Sequence, residues 1–415
     1  MIRNYLTLAW KVLLRRKFFT FISLFGVSFT LVVLLLVTAI LDHVIAPYPP
    51  ETRQDRTVGI YFASLQSDHW RRNGFAGYQL IDKLARDLPN VEQLGIATVP
   101  AEVSSFLNGR SVKEWLKRTD GTYWKILDFR FLEGGPLTDA DVAAGRMVAV
   151  INETTRQRFF GGAPALGRTL ELDSQRFTVV GVVPDVPILR FVPFADVWVP
   201  YTTAKGEDYK HEWVGNFMAL LLLKDPSKLD VTRDELWSRT RGVKASAGTE
   251  VLKLSATPET LFDVIGRLLT GNGSGEGAGY GRRLEIVLAI GAALFMLLPA
   301  VNLVNLNISR IMERAPEIGV RKAFGASSWT LVGQFVVENV FLTLVGAAIG
   351  LAITAIALGA INSSGLILYA ELSLNYRIFG WGVVLAVAFG LLSGVYPAWR
   401  MSRMHPVQAL NGVAR

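Results

Sequence analysis

The sequence predicts a membrane α-helical protein with four transmembrane helices and an α+β extracytoplasmic domain inserted between helices 1 and 2. Three observations predict it. Of 415 residues, 51% are hydrophobic, and the mean hydropathy is positive at +0.33, which is a membrane-protein composition. Four stretches are apolar over the ~20 residues that crossing a bilayer requires. Residues 43–283, between the first two stretches, alternate strand-like and helix-like patterns and carry 30 Lys and Arg against 29 Asp and Glu.

Residues 1–17 read as an amphipathic interface helix. Ile2, Leu6, Ala9 and Leu13 share one face, and Arg3, Thr7, Lys11 and Arg15 share another, the spacing of a helix lying on a membrane surface. Phe18–Leu41 is the first span; its apolar core is too long for a signal peptide. The other spans are Ile286–Ile308, Leu331–Ile361 and Ile378–Pro397. The net charge of +8 is concentrated beside them: Arg15, Arg16 and Lys17 precede span 1, Arg310, Arg314, Arg321 and Lys322 follow span 2, and Arg400, Arg403 and Arg415 follow span 4. Basic residues flanking spans mark the cytoplasmic side. Both termini, the loop 309–330 and the tail 398–415 are therefore expected inside, in a bacterial inner membrane, with 43–283 and 362–377 outside. The same placement makes lipid, not nucleic acid, the partner of the basic residues. The chain has no cysteine, which excludes disulfides, Cys-based zinc sites and thiol nucleophiles.

In the outer block, Thr57–Ala63, Val91–Pro100, Glu102–Phe106, Arg146–Ile151, Asp196–Pro200, Phe217–Leu223 and Val251–Leu254 read as strands. Tyr78–Leu88, a segment starting at the N-cap Asn152, Leu229–Arg241 and Pro258–Leu269 read as helices. Thr169–Leu172 and Phe177–Val183 form a hairpin about Asp173–Gln175. Gly271–Gly281 reads as a flexible linker; it contains G-x-G-x-x-A, but no strand precedes it, so a dinucleotide site is excluded.

No P-loop, H-E-x-x-H or G-x-S-x-G occurs in the sequence. His43, His69, His211 and His405 are scattered, and no carboxylates are paired by spacing. The expectation is a non-enzyme with no catalytic residue, metal site or bound cofactor.

The most informative segment is the cytoplasmic loop. Glu313, Arg314, Glu317, Arg321 and Lys322 are charged at helical spacing, with Glu317 and Arg321 in the favourable i,i+4 order. Gly325 breaks the helix, and Ser327 or Ser328 can cap the next span. A short charged helix between spans suits either docking to a soluble motor or a plain polar turn. The stretch Glu317-Ile318-Gly319-Val320-Arg321-Lys322-Ala323-Phe324-Gly325-Ala326-Ser327 resembles the signature loop of MacB/LolC/FtsX-type ABC permeases. Tyr396-Pro397-Ala398-Trp399-Arg400 with Arg403, Pro406, Ala409 and Leu410 is similar to that family's closing motif, and Val148–Val183 to its periplasmic core domain.

The resemblance implies a permease that pairs with a second permease, identical or related, and with two copies of a cytoplasmic ATPase that binds ATP and Mg. It implies docking of that ATPase on Glu313, Arg314 and Glu317–Ser327. It implies an outer domain of two parts, 106–214 inserted into one built from 50–105 and 215–270. Motion of that domain then serves efflux or extraction of a hydrophobic molecule, peptide or lipoprotein, with a periplasmic adaptor and outer-membrane channel as further partners. The alternative use of the same stroke is a regulatory scaffold that activates a cell-wall hydrolase or sensor kinase.

Within the spans, Asn302 and Asn305 are buried-amide candidates for helix pairing, within the chain or across a dimer. Gly346 and Gly350 form G-x-x-x-G, a close-packing signature. Glu338 is an intramembrane carboxylate, read as an ion-pair partner for the loop before a proton relay.

Overall fold

The computed structural model describes residues 15, 17–107, 109–243, 245–247, 250–270, 279–313, 320, 324, 327–384, 386–388 and 391. They fall into two units. One comprises Val44–Ile286 with Gly365–Glu371; the other takes the described residues before Val44, within Val287–Ser364, and from Leu372 on. The interface helix 1–17 and the tail 398–415 lie outside the described residues, apart from Arg15 and Lys17.

In the helical unit, Lys17–Ile45 and Val332–Ser364 are long and apolar enough to cross a membrane, and Tyr376–Ala388 is a shorter apolar helix. Helix Tyr280–Glu313 runs 34 residues and continues from the outer unit into this one. Helices Lys17–Ile45 and Ser328–Ser364 pack closely through Val27, Leu31 and Ala347. Phe21, Phe25 and Phe29, spaced by four, stack in file along the first helix, with successive ring centroids 6.1 and 5.6 Å apart.

The outer unit is built on a 15-stranded sheet. Along its main path the order is Val197–Pro200, Val148–Asn152, Gln175–Val183, Thr169–Leu172, Ala101–Leu107, Arg110–Thr119, Val91–Thr98, Phe217–Leu223, Arg71–Ala76, Phe62–Gln66, Glu250–Ala256 and Ala245–Ala247. Val197–Pro200 also pairs, in parallel, with Arg110–Thr119. That extra pairing closes the first six strands into a ring. Leu116, Ile151, Leu172, Phe177, Val179 and Val197 belong to the apolar core of this part. A second core, formed by residues 58–96 with 214–256, contains Ile60, Leu80, Ile96, Leu221 and Leu236. A third, aromatic-rich core contains Tyr123, Trp124, Trp198, Met218 and Val264. Phe217–Leu223, apolar at all seven positions, is buried at all seven because strands flank it on both edges.

Local structure follows local chemistry. Asn152 caps helix Glu153–Phe160 by accepting from the Thr155 amide, and Gly161 closes it at φ 62°. Asp173 and Ser174, both at positive φ, turn the hairpin Thr169–Leu172/Gln175–Val183. Two sequence expectations need correction, and one strand carried no expectation. Thr57–Ala63 is two strands, Thr57–Ile60 and Phe62–Gln66, with different partners and Tyr61 between them. Tyr78–Leu88 is a single helical turn, Tyr78–Leu80, followed by a π-helix, Ile81–Ala85, which turns Ile81, Leu84 and Ala85 into the core. Strand Arg110–Thr119 was hidden by its charges; Glu114 and Lys117 are fully buried in it.

Candidate functional site

Glu313 is the last described residue of helix Tyr280–Glu313. Arg314, Glu317, Ile318, Gly319, Arg321, Lys322, Ala323, Gly325 and Ala326 lie outside the described residues. Val320 is 46% and Phe324 89% exposed, and the Phe324 amide donates to the Val320 carbonyl at 3.1 Å. The Ser327 hydroxyl accepts from the Thr330 amide at 3.1 Å, capping helix Ser328–Ser364.

A Cβ on Gly346 would stand 3.0 Å from the Val27 side chain, and one on Gly350 3.1 Å from the Ser28 carbonyl oxygen. The glycine pair thus sits against helix Lys17–Ile45 of the same chain. Glu338 is buried on the same helix as Gln334, Asn339 and Thr343, which are buried too. The side chains of Asn302 and Asn305, on helix Tyr280–Glu313, lie outside the described residues.

Three connecting segments of the outer unit carry anchors that the sequence did not single out. The first follows helix Lys17–Ile45. Arg190, 3% exposed, donates to the carbonyls of Ala46 (2.7 Å) and Tyr48 (3.0 Å) and pairs with Glu51 at 3.2 Å. Burial pushes the Glu51 carboxyl up to about 7 despite Arg190 beside it. Lys117 lies fully buried nearby and donates to the carbonyls of Phe191 and Val192; burial drives its ammonium well below the usual lysine range. A cavity of about 20 Å³, lined in part by Glu51, Gln54, Tyr61 and Val192, has room for one water molecule, not for a substrate.

The second anchor precedes helix Tyr280–Glu313. The Asp263 carboxylate accepts from the Gly281 amide at 2.9 Å and pairs with Arg233 at 2.9 Å. Arg267 and Glu259, 3% and 1% exposed, form a buried pair. The Arg267 guanidinium lies 5.4 Å from the Phe62 ring centroid and 5.7 Å from that of Tyr280. Burial raises Glu259 to about 7 against the pull of Arg267. Glu259 also exchanges two backbone hydrogen bonds with Gly59, each 2.8 Å.

The third anchor holds Gly365–Glu371, the segment after helix Ser328–Ser364. The Ile188 amide donates to the Leu368 carbonyl at 3.1 Å. The Tyr369 hydroxyl donates to Asp196 at 2.8 Å, and Asp196 also accepts from Asn152 (3.0 Å) and from the Trp115 amide (2.8 Å). Tyr369 sits at φ 58°, unusual for an aromatic residue. A sequence signal existed for the first anchor: Arg190 is the one charged residue in the proline-punctuated apolar run Val186–Ala195. Nothing comparable marked Tyr369.

One chain that carries both long apolar helices and a sheet-based unit has the parts of a membrane permease, and sequence comparison names the class. The MacB-like periplasmic core domain matches residues 20–238 and the FtsX-like permease C-terminal domain residues 289–406. The chain belongs to the MacB/FtsX family of ABC transporter permeases. It is 26% identical over 297 residues to the macrolide export ATP-binding/permease protein MacB of Burkholderia cenocepacia, covering 70% of this chain and 40% of that one. It is 25% identical over 330 residues to the uncharacterized ABC transporter permease YknZ of Bacillus subtilis, covering 76% of each. The chain thus spans about two fifths of the MacB relative's length. Among solved structures, the periplasmic region of MacB from Actinobacillus actinomycetemcomitans is 16% identical with a TM-score of 0.37, covering 52% of this chain and 92% of that one. The extracellular domain of YknZ from Gram-positive bacteria is 16% identical with a TM-score of 0.35, covering 47% and 98%.

Proposed function

We propose that this chain is a four-span inner-membrane permease that dimerises and carries ATP-driven motion from a separate cytoplasmic ATPase to its outer domain, for efflux or extraction of a hydrophobic, peptide or lipoprotein substrate. The observation that carries this reading is the triple rooting of the outer unit. The residues after helix Lys17–Ile45, the first turn of helix Tyr280–Glu313 and the segment after helix Ser328–Ser364 are each held by a buried or charge-assisted hydrogen bond, at Arg190, Asp263 and Tyr369. A passively tethered domain needs only flexible linkers. Phe324 supports docking in the cytoplasmic loop, because an aromatic side chain left 89% exposed is a ready anchor for a partner. In this reading ATP hydrolysis is the partner's work; no phosphate-binding loop occurs within these 415 residues.

Co-purification of the full chain with candidate ABC ATPases of the same organism tests this. Glu317→Ala combined with Arg321→Ala, or Phe324→Ala alone, is expected to reduce the bound ATPase at least tenfold while leaving the chain inserted and folded. Undiminished binding in both variants overturns the docking assignment. ATP hydrolysis by the purified chain alone overturns the division of labour.

A further inference from the structure

One segment, Pro184–Asp196, grips two of the three connectors. It links strand Gln175–Val183 to strand Val197–Pro200, both in the closed ring. Pro184, Pro187 and Pro193 limit its backbone freedom. Val186, Arg190, Val192, Phe194 and Asp196 are all buried. On one side, Arg190 holds Ala46, Tyr48 and Glu51. On the other, Ile188 and Asp196 hold Leu368 and Tyr369. Between these contacts the segment ties itself to the ring: Lys117 donates to Phe191, and Asp196 accepts from Trp115 and Asn152. Within the segment, the Phe194 amide donates to the Arg190 carbonyl at 2.9 Å, which closes a turn just before Asp196.

The left-handed backbone of Tyr369 is a second, independent mark. A non-glycine residue there is disfavoured, because its Cβ crowds the backbone, and it persists only where its surroundings hold it. Here the holding bonds are Tyr369 to Asp196 and Leu368 to Ile188, both made to the same segment.

We propose that Pro184–Asp196 is a coupling joint, and that Arg190 and Tyr369 are positioning residues through which the exit of the first helix and the segment after helix Ser328–Ser364 sense each other. A displacement of either connector loads the same stiff segment, so loosening one loosens the other. The use of this joint in an export stroke rests on the proposed permease function. The coupling itself is a property of this chain and needs no ATPase, so the two can fail separately.

Hydrogen exchange of the full-length chain in lipid nanodiscs tests the coupling. Tyr369→Phe removes one hydroxyl and keeps the ring. It is expected to accelerate exchange about tenfold at the Ile188 amide, as the loss of a charge-assisted hydrogen bond would, and severalfold in the peptide carrying the Tyr48 and Glu51 amides. Arg190→Lys is expected to act in the reverse direction, accelerating exchange in 365–371, because coupling between sites is reciprocal. Strand Phe217–Leu223 should remain unchanged in both. An effect of Tyr369→Phe confined to 186–190 and 365–371 overturns the joint. So does a general loosening that includes Phe217–Leu223. If Arg190→Lys destabilises the whole outer unit, Glu51→Gln, which keeps the two carbonyl contacts of Arg190, gives the reciprocal reading.

Discussion

Removing Arg267 should produce a defect whose size depends on pH. The Glu259–Arg267 pair is nearly sealed from solvent, at 1% and 3% exposure. Truncating one partner of a buried pair costs ~3–5 kcal/mol, mainly because the other charge is left uncompensated. Glu259 can escape that cost by taking a proton. Its carboxyl already titrates at about 7, raised by burial and restrained by Arg267. In Arg267→Met the restraint is gone and the carboxyl rises further. Below pH 7 Glu259 is protonated in both folded proteins, and the defect reduces to lost packing and cation–π contact with Phe62 and Tyr280, ~1–2 kcal/mol. Above pH 7 only the wild type ionises freely. The defect then grows by ~1.4 kcal/mol per pH unit until the variant's own carboxyl ionises, approaching ~3–5 kcal/mol. Adding Glu259→Gln removes the titrating group, so the double variant should be nearly pH-independent and more stable than Arg267→Met at pH 9. Hydrogen exchange of the slowest amides in Phe217–Leu223, in full-length protein at pH 6 and pH 9, measures the opening free energy. An equal defect at the two pH values, or a double variant no better than the single one at pH 9, refutes the reasoning.

Other predictions concern separate parts of the fold. In the wild type, Glu51, Glu114 and Glu259 are each raised from 4.5 to about 7, chiefly by burial. Folding then takes up protons between those values, so the opening free energy of the outer unit should fall as pH climbs from 4.5 to 7; a rise over that window contradicts these assignments. Gly350→Leu places a side chain where even a Cβ stands 3.1 Å from the Ser28 carbonyl oxygen, and should cost ~1–3 kcal/mol of helix packing. In this cysteine-free chain, a Val27→Cys/Gly346→Cys pair should cross-link efficiently, and the added Gly350→Leu should reduce its yield severalfold. Asp173→Asn with Ser174→Gly suits the two positive-φ turn positions and should stabilise the hairpin by ~1 kcal/mol, visible as slower exchange in Gln175–Val183. Asn152→Ala removes both a helix cap and a bond to Asp196, and should cost ~1–2 kcal/mol in the same exchange assay.

Much of the outer unit was legible because its strands obey simple rules. Phe217–Leu223 announced itself by apolarity, and helix Glu153–Phe160 by Asn152 at one end and Gly161 at the other. Failures arose where tertiary context outweighed local pattern. Glu114 and Lys117 disguised strand Arg110–Thr119, because their charges are satisfied by partners far along the chain, Arg158 and the carbonyls of Phe191 and Val192. The anchors were harder still. Tyr369 and Asp196 are 173 residues apart, and no periodicity connects them. Arg190 was conspicuous only as a lone charge among apolar residues, and its three acceptors lie 139–144 residues upstream. Of the loop 309–330, chemistry suggested its use before geometry could: Val320, Phe324 and Ser327 are placed, and Arg314, Glu317, Arg321 and Lys322 are not among the described residues.

The ring closed by Val197–Pro200 against Arg110–Thr119 has a mechanical consequence. An open sheet can yield by sliding one strand along its neighbour at a free edge. In a closed ring every strand has a partner on each side, so such a slip must break hydrogen bonds on both sides at once. This ring is also clasped at the point where Asp196 leads into Val197–Pro200. A load taken up there is therefore shared around the ring, as far as Thr169–Leu172, three strands away by either path.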